Sequence, residues 1–312
     1  MRVLLAGPTG AIGRPLIRGL KHHGHSVFGL VRSAESTRML TEVGADAVIG
    51  DALDAASVRA AIARVRPDAV INELTSLPRH YTPAEMKAAA ERDSRVRREG
   101  NVNLLAGMRE NGVRRYVLQS SGFWYAPGPG LADESSPLAV DASPGVAAGA
   151  RTYAELESTA FRTSELDCVA MRYGFFYGPG TWYTNAGDMG EQVRRQQVPI
   201  IGAGQGVASF VHIEDAASAT VTALECAPGA YNIVDDHPSQ QRLWLPAFAR
   251  ACGAPEPLQI TEQEALATSG ADSVYYATRL RGASNEKARH ELNFRPRPLE
   301  WLQARAVPAQ RG

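Results

Sequence analysis

A tyrosine and a glutamate lie four residues apart in the segment 152–158, TYAELES. On a helix this spacing places Tyr153 and Glu157 one turn apart on the same face. A phenol beside a cation is a common proton-transfer group, because the positive charge lowers a pKa that is otherwise about 10. Here the neighbour is an acid, which disfavours the ionised phenol. Both residues are candidate catalytic groups, with an ordinary surface helix as the alternative.

Three other residues could hold a substrate or carry a proton. Ser121 ends a predicted strand, where a hydroxyl can orient a carbonyl group, although it could also cap a turn. Glu73 and Glu99 are acids, and a water-poor cleft would raise the pKa of either one enough for acid–base chemistry. The alternative for these acids is capping a helix or pairing with nearby arginines such as Arg97 and Arg98.

The first turn of the chain, AGPTGAIG, places three glycines at three-residue spacing between an apolar strand and a helix. Small residues are needed there because the backbone approaches a pyrophosphate and the helix packs closely on the strand. The sequence therefore predicts a dinucleotide site. The residues predicted for this turn are Gly7, Thr9, Gly10, Ala11, Ile12 and Gly13.

The end of the second predicted strand distinguishes two dinucleotides. An acid there would bind the ribose 2′-hydroxyl of NAD(H), whereas an arginine accommodates the 2′-phosphate of NADP(H). The sequence has Arg32 and Ser33 and no acid, which favours NADP(H) over NAD(H). Asp51, after the third strand, could bond the adenine amino group or cap the next helix.

Apolar runs alternate with amphipathic segments along the first part of the chain. Strands are predicted at 2–7, 25–32, 47–50, 68–74, 114–121 and 167–174, and helices at 14–24, 56–65, 93–111 and 152–164. The stretch 126–150, rich in Pro, Gly, Ala and Ser, is predicted to be a long loop. The alternation predicts an α/β fold of the Rossmann type, a doubly wound parallel sheet with a smaller C-terminal substrate lobe. The predicted domains are a dinucleotide-binding domain at 1–173, joined by a return to the sheet at 208–234, and a substrate lobe at 174–207 and 235–312.

Composition argues against several classes of function. The 33 basic and 33 acidic residues balance to a net charge of zero, and no basic block is interleaved with aromatic residues, so no nucleic-acid partner is expected. No stretch approaches the roughly 20 apolar residues of a membrane span. Three cysteines without a CxxC motif suggest reduced thiols and a cytoplasmic location. The histidine run KHHGH at 21–25 lies at a helix end without Cys or carboxylate, so no metal site is predicted.

Several motifs in order resemble the extended short-chain dehydrogenase/reductase superfamily, in its epimerase/dehydratase branch. The likeness covers nearly the whole chain. It is carried by MRVLLAGPTGAIG, GDALD, VINELTSL, YVLQSSGFWY, MRYGFFYGPG, IGAGQGVASFVHIEDAASA and GASNEKARHELNFRP. The resemblance implies further cofactor contacts from Ala52, Leu74, Thr75, Ser120, Tyr173, Gly174 and Phe175.

The resemblance also implies a serine that holds the substrate, a tyrosine that passes a proton and a lysine four residues later. Ser121 and Tyr153 match the first two, but Glu157 stands where the lysine is expected. Alignment on the strand instead places the tyrosine position near Ala147 and the lysine position near Arg151. Arg151 is therefore a candidate for the missing positive charge, although its high pKa makes it a poor proton shuttle.

A further difference concerns the substrate. Sugar-nucleotide members of the family use an arginine in the returning segment to bind the diphosphate, and this chain has Ala208 and Ser209 there. The aromatic and apolar residues of this part of the chain suggest a flatter, less charged substrate instead. The residues predicted to bind it are Glu99, Phe123, Trp124, Phe176 and Trp182.

The function predicted from the sequence is an NADP(H)-dependent oxidoreductase acting on a small, non-nucleotide carbonyl or alcohol. Two alternatives stay open at this stage. One is an epimerase or dehydratase that recycles its cofactor, and the other is a redox-inert NADP(H) sensor, which the missing lysine makes credible. Two long helices like those of the family's dimer contact suggest a homodimer.

Overall fold

Short apolar runs and amphipathic segments alternate in the first half of the chain and fold into alternating strands and helices. The structure is a computed structural model that describes residues 1–303. The strands are β1 Arg2–Ala6, β2 Ser26–Val31, β3 Asp46–Ile49, β4 Ala69–Asn72, β5 Arg115–Ser121, β6 Asp167–Tyr173, β7 Phe175–Tyr177, β8 Ile200–Ile201, β9 Val207–Ala208, β10 Phe210–His212, β11 Gly229–Ile233, β12 Ser239–Gln240 and β13 Gln259–Ile260. The helices are α1 Gly13–His22, α2 Ala34–Glu42, α3 Ala55–Val65, α4 Pro83–Glu110, α5 Pro144–Phe161, α6 Asp188–Arg194, α7 Ile213–Thr222, α8 Gln241–Ala251, α9 Glu262–Thr268, α10 Gly270–Thr278, α11 Glu286–Glu291 and α12 Glu300–Gln303.

The central sheet has seven strands in the order β11-β6-β5-β4-β1-β2-β3, and every pairing in it is parallel. The strand order reverses between β1 and β4. In open sheets of this kind the ligand binds at the carboxyl ends of the strands beside such a reversal. The predicted Rossmann-type sheet is confirmed, and the segment predicted to return to it supplies β11.

Helices cover both faces of the sheet. Leu16, Ile17 and Leu20 of α1 pack with α7 and α11 on one face. Helices α3, α4 and α5 cover the other face, where Leu104 and Leu156 are buried. The strands are therefore buried on both sides, which is why they appear in the sequence as nearly continuous apolar runs.

Side-chain caps set the starts of several helices. Asp54 caps α3 by accepting from the backbone N–H of Ala56, and Thr82 caps α4 in the same way. With Pro83 at its first position, α4 begins well before the predicted residue 93. Helix α2, which starts at the cap residue Ser33, was not predicted from the sequence.

Helix α5 is the largest departure from the expected elements. It begins at Pro144, so the last part of the predicted loop 126–150 is helical and the expected short helix 152–164 is wrong. Its first turn is capped from another part of the chain, because the Asp272 carboxylate accepts from the backbone N–H of Gly145 at 3.0 Å. The local sequence could not predict this cap, because a residue of α10 supplies it.

The C-terminal lobe has an aromatic core of its own. Its members include Tyr177, Tyr183, Phe210, Trp244, Phe248 and Trp301. The domain boundary predicted at residues 173/174 stays a prediction. Residues 304–312 of the predicted lobe lie outside the described residues. Within residues 1–303, no helix combines the length and apolar character that crossing a membrane requires.

Candidate active site

The turn after β1 can be this tight, with the backbone so close to β4 and to its own first residues, only because it is built from glycines. Gly7 has a φ of 88°, and a Cβ there would lie 2.3 Å from the carbonyl oxygen of Glu73. A Cβ on Gly13 would lie 2.0 Å from the carbonyl oxygen of Pro8. Among the described residues no side chain caps the N-terminus of α1; in its first turn the Gly13 N–H donates to the Gly10 carbonyl and Pro15 has no N–H, which leaves the Arg14 N–H for an anion. The predicted turn residues Thr9, Gly10, Ala11 and Ile12 all lie in this cradle, which fits a dinucleotide.

The residues predicted on the adenine side lie at the ends of β2 and β3. Arg32 is exposed beyond β2, and Ser33 uses its hydroxyl to cap α2. The Asp51 carboxylate accepts from the backbone N–H of Leu53 at 3.0 Å. The alternative role of Asp51 as a helix cap is wrong, because Asp54 caps α3.

The other predicted cofactor residues follow β3 to β6 at the same edge of the sheet. Ala52 follows β3, and its carbonyl accepts from the Asn103 side chain. Leu74 and Thr75 follow β4, and the backbone N–H of Leu74 donates to Asn72 at 3.0 Å. Tyr173 ends β6, and Gly174 and Phe175 come directly after it.

The two serines that end β5 have different surroundings. Ser120 is buried and donates to the Glu157 carboxylate, so its hydroxyl is already engaged. Ser121 is buried beside it, and its hydroxyl has only a 3.5 Å contact with the backbone N–H of Phe123. Ser121 is therefore the serine that could bind another molecule.

Glu157 does not act on Tyr153 and is instead half of a buried ion pair. The Arg172 Nε donates to its Oε1 at 2.8 Å, and the Arg172 Nη2 donates to its Oε2 at 2.6 Å. Arg172 also donates to the Tyr125 hydroxyl at 2.9 Å. Both carboxylate oxygens are occupied, so the expected effect of Glu157 on the tyrosine and its expected catalytic role are not supported by the geometry.

Tyr153 does have a cationic neighbour, but it comes from α4. The Arg97 guanidinium lies 4.9 Å from the centre of the Tyr153 ring and is itself buried. It donates to Asp93 at 2.7 Å and to Gln119 at 2.9 Å. Arg151, the expected substitute cation, is exposed and lies 3.8 Å from Asp141. The spacing of Asp93 and Arg97 marks a helical ion pair, but only the fold shows that Arg97 reaches Tyr153.

Burial dominates the acidity of this phenol. Burial raises the pKa of Tyr153 to about 12, while the nearby Arg97 charge acts in the opposite direction and nearby Asp93 and Glu73 add to the rise. Tyr153 is therefore a neutral hydrogen-bond donor at pH 7 and a weak acid.

Aromatic side chains form one wall beside Tyr153. Phe123 stacks on Phe175 with ring centres 4.2 Å apart, and Trp124 leans on Tyr153 at 5.6 Å. The Trp124 indole donates to the Tyr276 hydroxyl at 2.8 Å. Tyr276 was missed from the sequence because it lies far along the chain, on α10.

The other predicted substrate residues have different places. Trp182 stacks on Tyr81 at 4.6 Å and belongs to the lobe side of the cleft. Phe176 packs against Tyr173 beside the α1–α7 core, and its substrate contact stays a prediction. Glu99 is exposed and pairs with Arg95 at 2.9 Å, and its substrate contact likewise stays a prediction.

Of the three acids considered from the sequence, Glu73 is the one whose burial and bonding suit acid–base chemistry. Only 2% of it is exposed, and its Oε2 has no hydrogen-bond partner among the described residues. Burial raises the pKa of Glu73 to about 8. The cleft therefore contains a carboxyl that is mostly protonated at neutral pH.

A parallel sheet with a glycine turn at its strand-order reversal has the architecture of the Rossmann-type dinucleotide-binding proteins. The sequence profile of the NAD dependent epimerase/dehydratase family matches residues 3–233. The chain belongs to this family, and it is an NAD(P)-dependent oxidoreductase or epimerase.

Known proteins that match most of the length of this chain support this assignment. The chain is 40% identical to the 3-diazoavenalumate denitrifying reductase of a Streptomyces species, over 96% of this chain and 98% of that protein. It is 28% identical to the 2-alkyl-3-oxoalkanoate reductase of Stenotrophomonas maltophilia, over 82% and 77% of the two chains. The solved UDP-glucose 4-epimerase of Thermus thermophilus in complex with NAD superposes with a TM-score of 0.70 at 25% identity, over 95% and 94%.

The ion pair between Glu157 and Arg172 gives a stability prediction. Glu157→Ala should lower the free energy of unfolding by about 3–5 kcal/mol, because it leaves the Arg172 charge buried without a partner. The double change Glu157→Ala with Arg172→Met should recover part of this loss. Urea unfolding at pH 7 measures both. A loss under about 1 kcal/mol for Glu157→Ala would contradict the structural role.

Proposed function

We propose that this chain is an NADP(H)-dependent reductase that transfers hydride to a small, flat, non-nucleotide substrate. The observation that carries the proposal is the aromatic wall of Phe123, Trp124, Phe175 and Tyr276 beside Tyr153. Stacked aromatic faces bind planar apolar molecules. In this proposal the substrate lies against that wall, next to Ser121.

The preference for NADP(H) rests on Arg32. Its guanidinium is exposed just beyond β2, where the adenosine ribose of a bound dinucleotide lies in this fold. Ser33 adds a hydroxyl, although that group already caps α2. An arginine binds phosphate through a planar set of donors, so a 2′-phosphate is the complementary group.

Removing the Arg32 guanidinium tests this preference. Arg32→Ala should weaken NADPH binding by about 10- to 100-fold, since a hydrogen bond to a charged group contributes roughly 1.5–3 kcal/mol, and should leave NADH binding within about twofold. Arg32→Lys keeps the charge and should fall between the two. Titration of intrinsic fluorescence with each cofactor gives the dissociation constants. Equal losses for NADPH and NADH would refute the NADP(H) preference.

A nucleotide-sugar substrate is disfavoured by the segment that returns to the sheet. Ser209 is buried, and its hydroxyl accepts from the backbone N–H of Ala283 at 2.9 Å, while Ala208 is buried beside it. Neither residue can bind a diphosphate, so we favour a reductase over an epimerase of sugar nucleotides. The reductase relatives argue in the same direction against a redox-inert sensor.

Two classes of hydride acceptor fit the aromatic wall. The name of the Streptomyces relative indicates a diazo substrate, and the sequence alone pointed to a carbonyl. When bound, the nicotinamide would supply a hydride. Hydride transfer to an arenediazonium gives the arene and dinitrogen without consuming a proton. Hydride transfer to a carbonyl gives an alcohol and requires the uptake of one proton. Tyr153, with its raised pKa, would orient either acceptor as a neutral donor and is poorly suited to fast proton transfer. We therefore favour an aryl diazo acceptor.

Loss of the Tyr153 hydroxyl separates these acceptors. Tyr153→Phe should reduce NADPH-dependent turnover of an aryl diazonium acid by less than about tenfold, but that of an aromatic ketone by about 10²–10⁴-fold if the phenol is its proton donor. NADPH oxidation is measured alongside the products, dinitrogen and arene or alcohol. Absence of NADPH oxidation with both classes in the unmodified protein would refute the reductase proposal.

The predicted homodimer would use the outer faces of α4 and α5. These helices carry an exposed Val102 and an exposed Phe161, and the Arg98–Glu155 ion pair at 2.9 Å joins them. The homodimer remains a prediction.

A further inference from the structure

Glu73 adjoins the glycine turn at the strand-order reversal, on the side over which the nicotinamide half of a dinucleotide would extend in this fold. Its backbone N–H donates to Ala6 at the end of β1, and its carbonyl faces Gly7, so it adjoins the pyrophosphate turn. The adenine half extends over β2 and β3 towards Arg32. Because the strand order is β3-β2-β1-β4-β5-β6, the other half extends over β4, β5 and β6. Glu73 directly follows β4.

The Glu73 side chain belongs to a chain of short oxygen–oxygen contacts. Its Oε1 lies 2.9 Å from the Tyr173 hydroxyl, which lies 2.6 Å from the Thr220 hydroxyl. The Thr220 hydroxyl lies 2.7 Å from the carbonyl oxygen of Ala216. Oε2 is buried without a partner among residues 1–303.

Counting protons along these contacts favours a neutral carboxyl. The hydroxyls of Tyr173 and Thr220 supply two protons for three contacts if Glu73 is ionised. With Glu73 ionised, the Tyr173 hydroxyl donates to Oε1 and the Thr220 hydroxyl donates to Ala216, which leaves the 2.6 Å contact between the two hydroxyls without a proton. A proton on Oε1 would reverse the first bond and free the Tyr173 proton for Thr220. In this arrangement Oε2 is a carbonyl oxygen, a free hydrogen-bond acceptor.

The surrounding groups set the pKa of Glu73. Burial raises the pKa of Glu73 to about 8, while the contact with Tyr173 of β6 and the Arg97 charge from α4 oppose the rise. Tyr153 of α5 faces the same region and is neutral, and Thr220 of α7 does not titrate. A new positive charge nearby would favour the ionised form.

We propose that Glu73 is a proton-linked contact for the nicotinamide. In the free protein its carboxyl is neutral, and its Oε2 accepts a hydrogen bond from the bound cofactor. When the ring carries the positive charge of the oxidised form, the carboxyl ionises and its proton leaves to solvent. Glu73 thereby distinguishes oxidised from reduced cofactor, a role that depends on the cofactor binding proposed above.

This role is tested by measuring the protons that are released when the cofactor binds. Calorimetric titration with NADP⁺ at pH 7.5, in buffers of different ionisation enthalpy, should show release of up to about one proton per site from the unmodified protein. NADPH should show little release. Adenosine 2′,5′-bisphosphate, which carries the 2′-phosphate but no nicotinamide, serves as the matched ligand and should also show little. NAD⁺ and NADH are titrated in parallel.

Glu73→Gln is the matched variant, because the amide keeps the shape and hydrogen bonding but cannot ionise. It should bind NADP⁺ without the extra proton release. In the unmodified protein the affinity for NADP⁺ should rise between pH 7 and 9. The rise should be about tenfold for each unit by which the positive nicotinamide lowers the Glu73 pKa. In the variant the affinity should not change over this pH range.

Two failures have different meanings. Proton release that is equal for NADP⁺ and NADPH, or unchanged in Glu73→Gln, overturns the role of Glu73 while leaving the reductase proposal intact. Failure of the unmodified protein to bind any of the four dinucleotides overturns the proposed function itself, and with it the role of Glu73.

The neutral state of Glu73 can be checked in the free protein. A pKa that is raised on folding means that the folded state holds the proton to higher pH than the unfolded state. Stability should therefore fall as pH rises from the ordinary glutamate pKa to about 8, and level off above it. Thermal unfolding of Glu73→Gln should lack this fall. Parallel curves for the two proteins would show that Glu73 is already ionised when folded.

Discussion

The buried pair of Arg172 and Glu157 is the interaction on which the geometry of the site depends. It joins α5 to β6 through two hydrogen bonds, and Ser120 of β5 donates to the same carboxylate. Arg172 continues the network to Tyr125, whose hydroxyl donates to Asn232 on β11. Neighbouring strands are thereby fixed to the helix that carries Tyr153. A pair of this kind contributes little net stability compared with apolar residues, but it tolerates no loss of one partner.

Close packing of aromatic rings determines what the site can bind. A Cβ on Gly149 would lie 2.3 Å from the Trp124 ring, so the indole packs directly on the backbone of α5, one turn before Tyr153. From there Trp124 reaches Tyr276 of α10. The wall is therefore assembled from β5, α5 and the C-terminal lobe together. In the function we propose, a planar substrate packs against this surface.

The charged groups around Tyr153 differ from the tyrosine–lysine arrangement implied by the family resemblance. Arg97 supplies a positive charge from α4, and Asp93 holds it in place while also accepting from the backbone N–H of Ser76 after β4. Tyr153 and Glu73 are both buried, and burial raises the pKa of each. At neutral pH Tyr153 is neutral and Glu73 is mostly protonated, and the buried Arg97 guanidinium lies beside Tyr153. This arrangement fits hydride transfer with little demand for proton transfer.

The sequence by itself determined the fold class, six strands of the central sheet and the glycine turn after the first strand, because these depend on local patterns. Apolar strands such as RVLLA and the spacing of Gly7, Gly10 and Gly13 can be read without any contact information. The tertiary structure alone decided the length of α5, whose cap is Asp272, and the identity of the cation beside Tyr153, which is Arg97. It also showed that Glu157 pairs with Arg172 and not with Tyr153. These outcomes depend on residues far apart in the chain, and their energies arise from burial and pairing that only the folded chain creates.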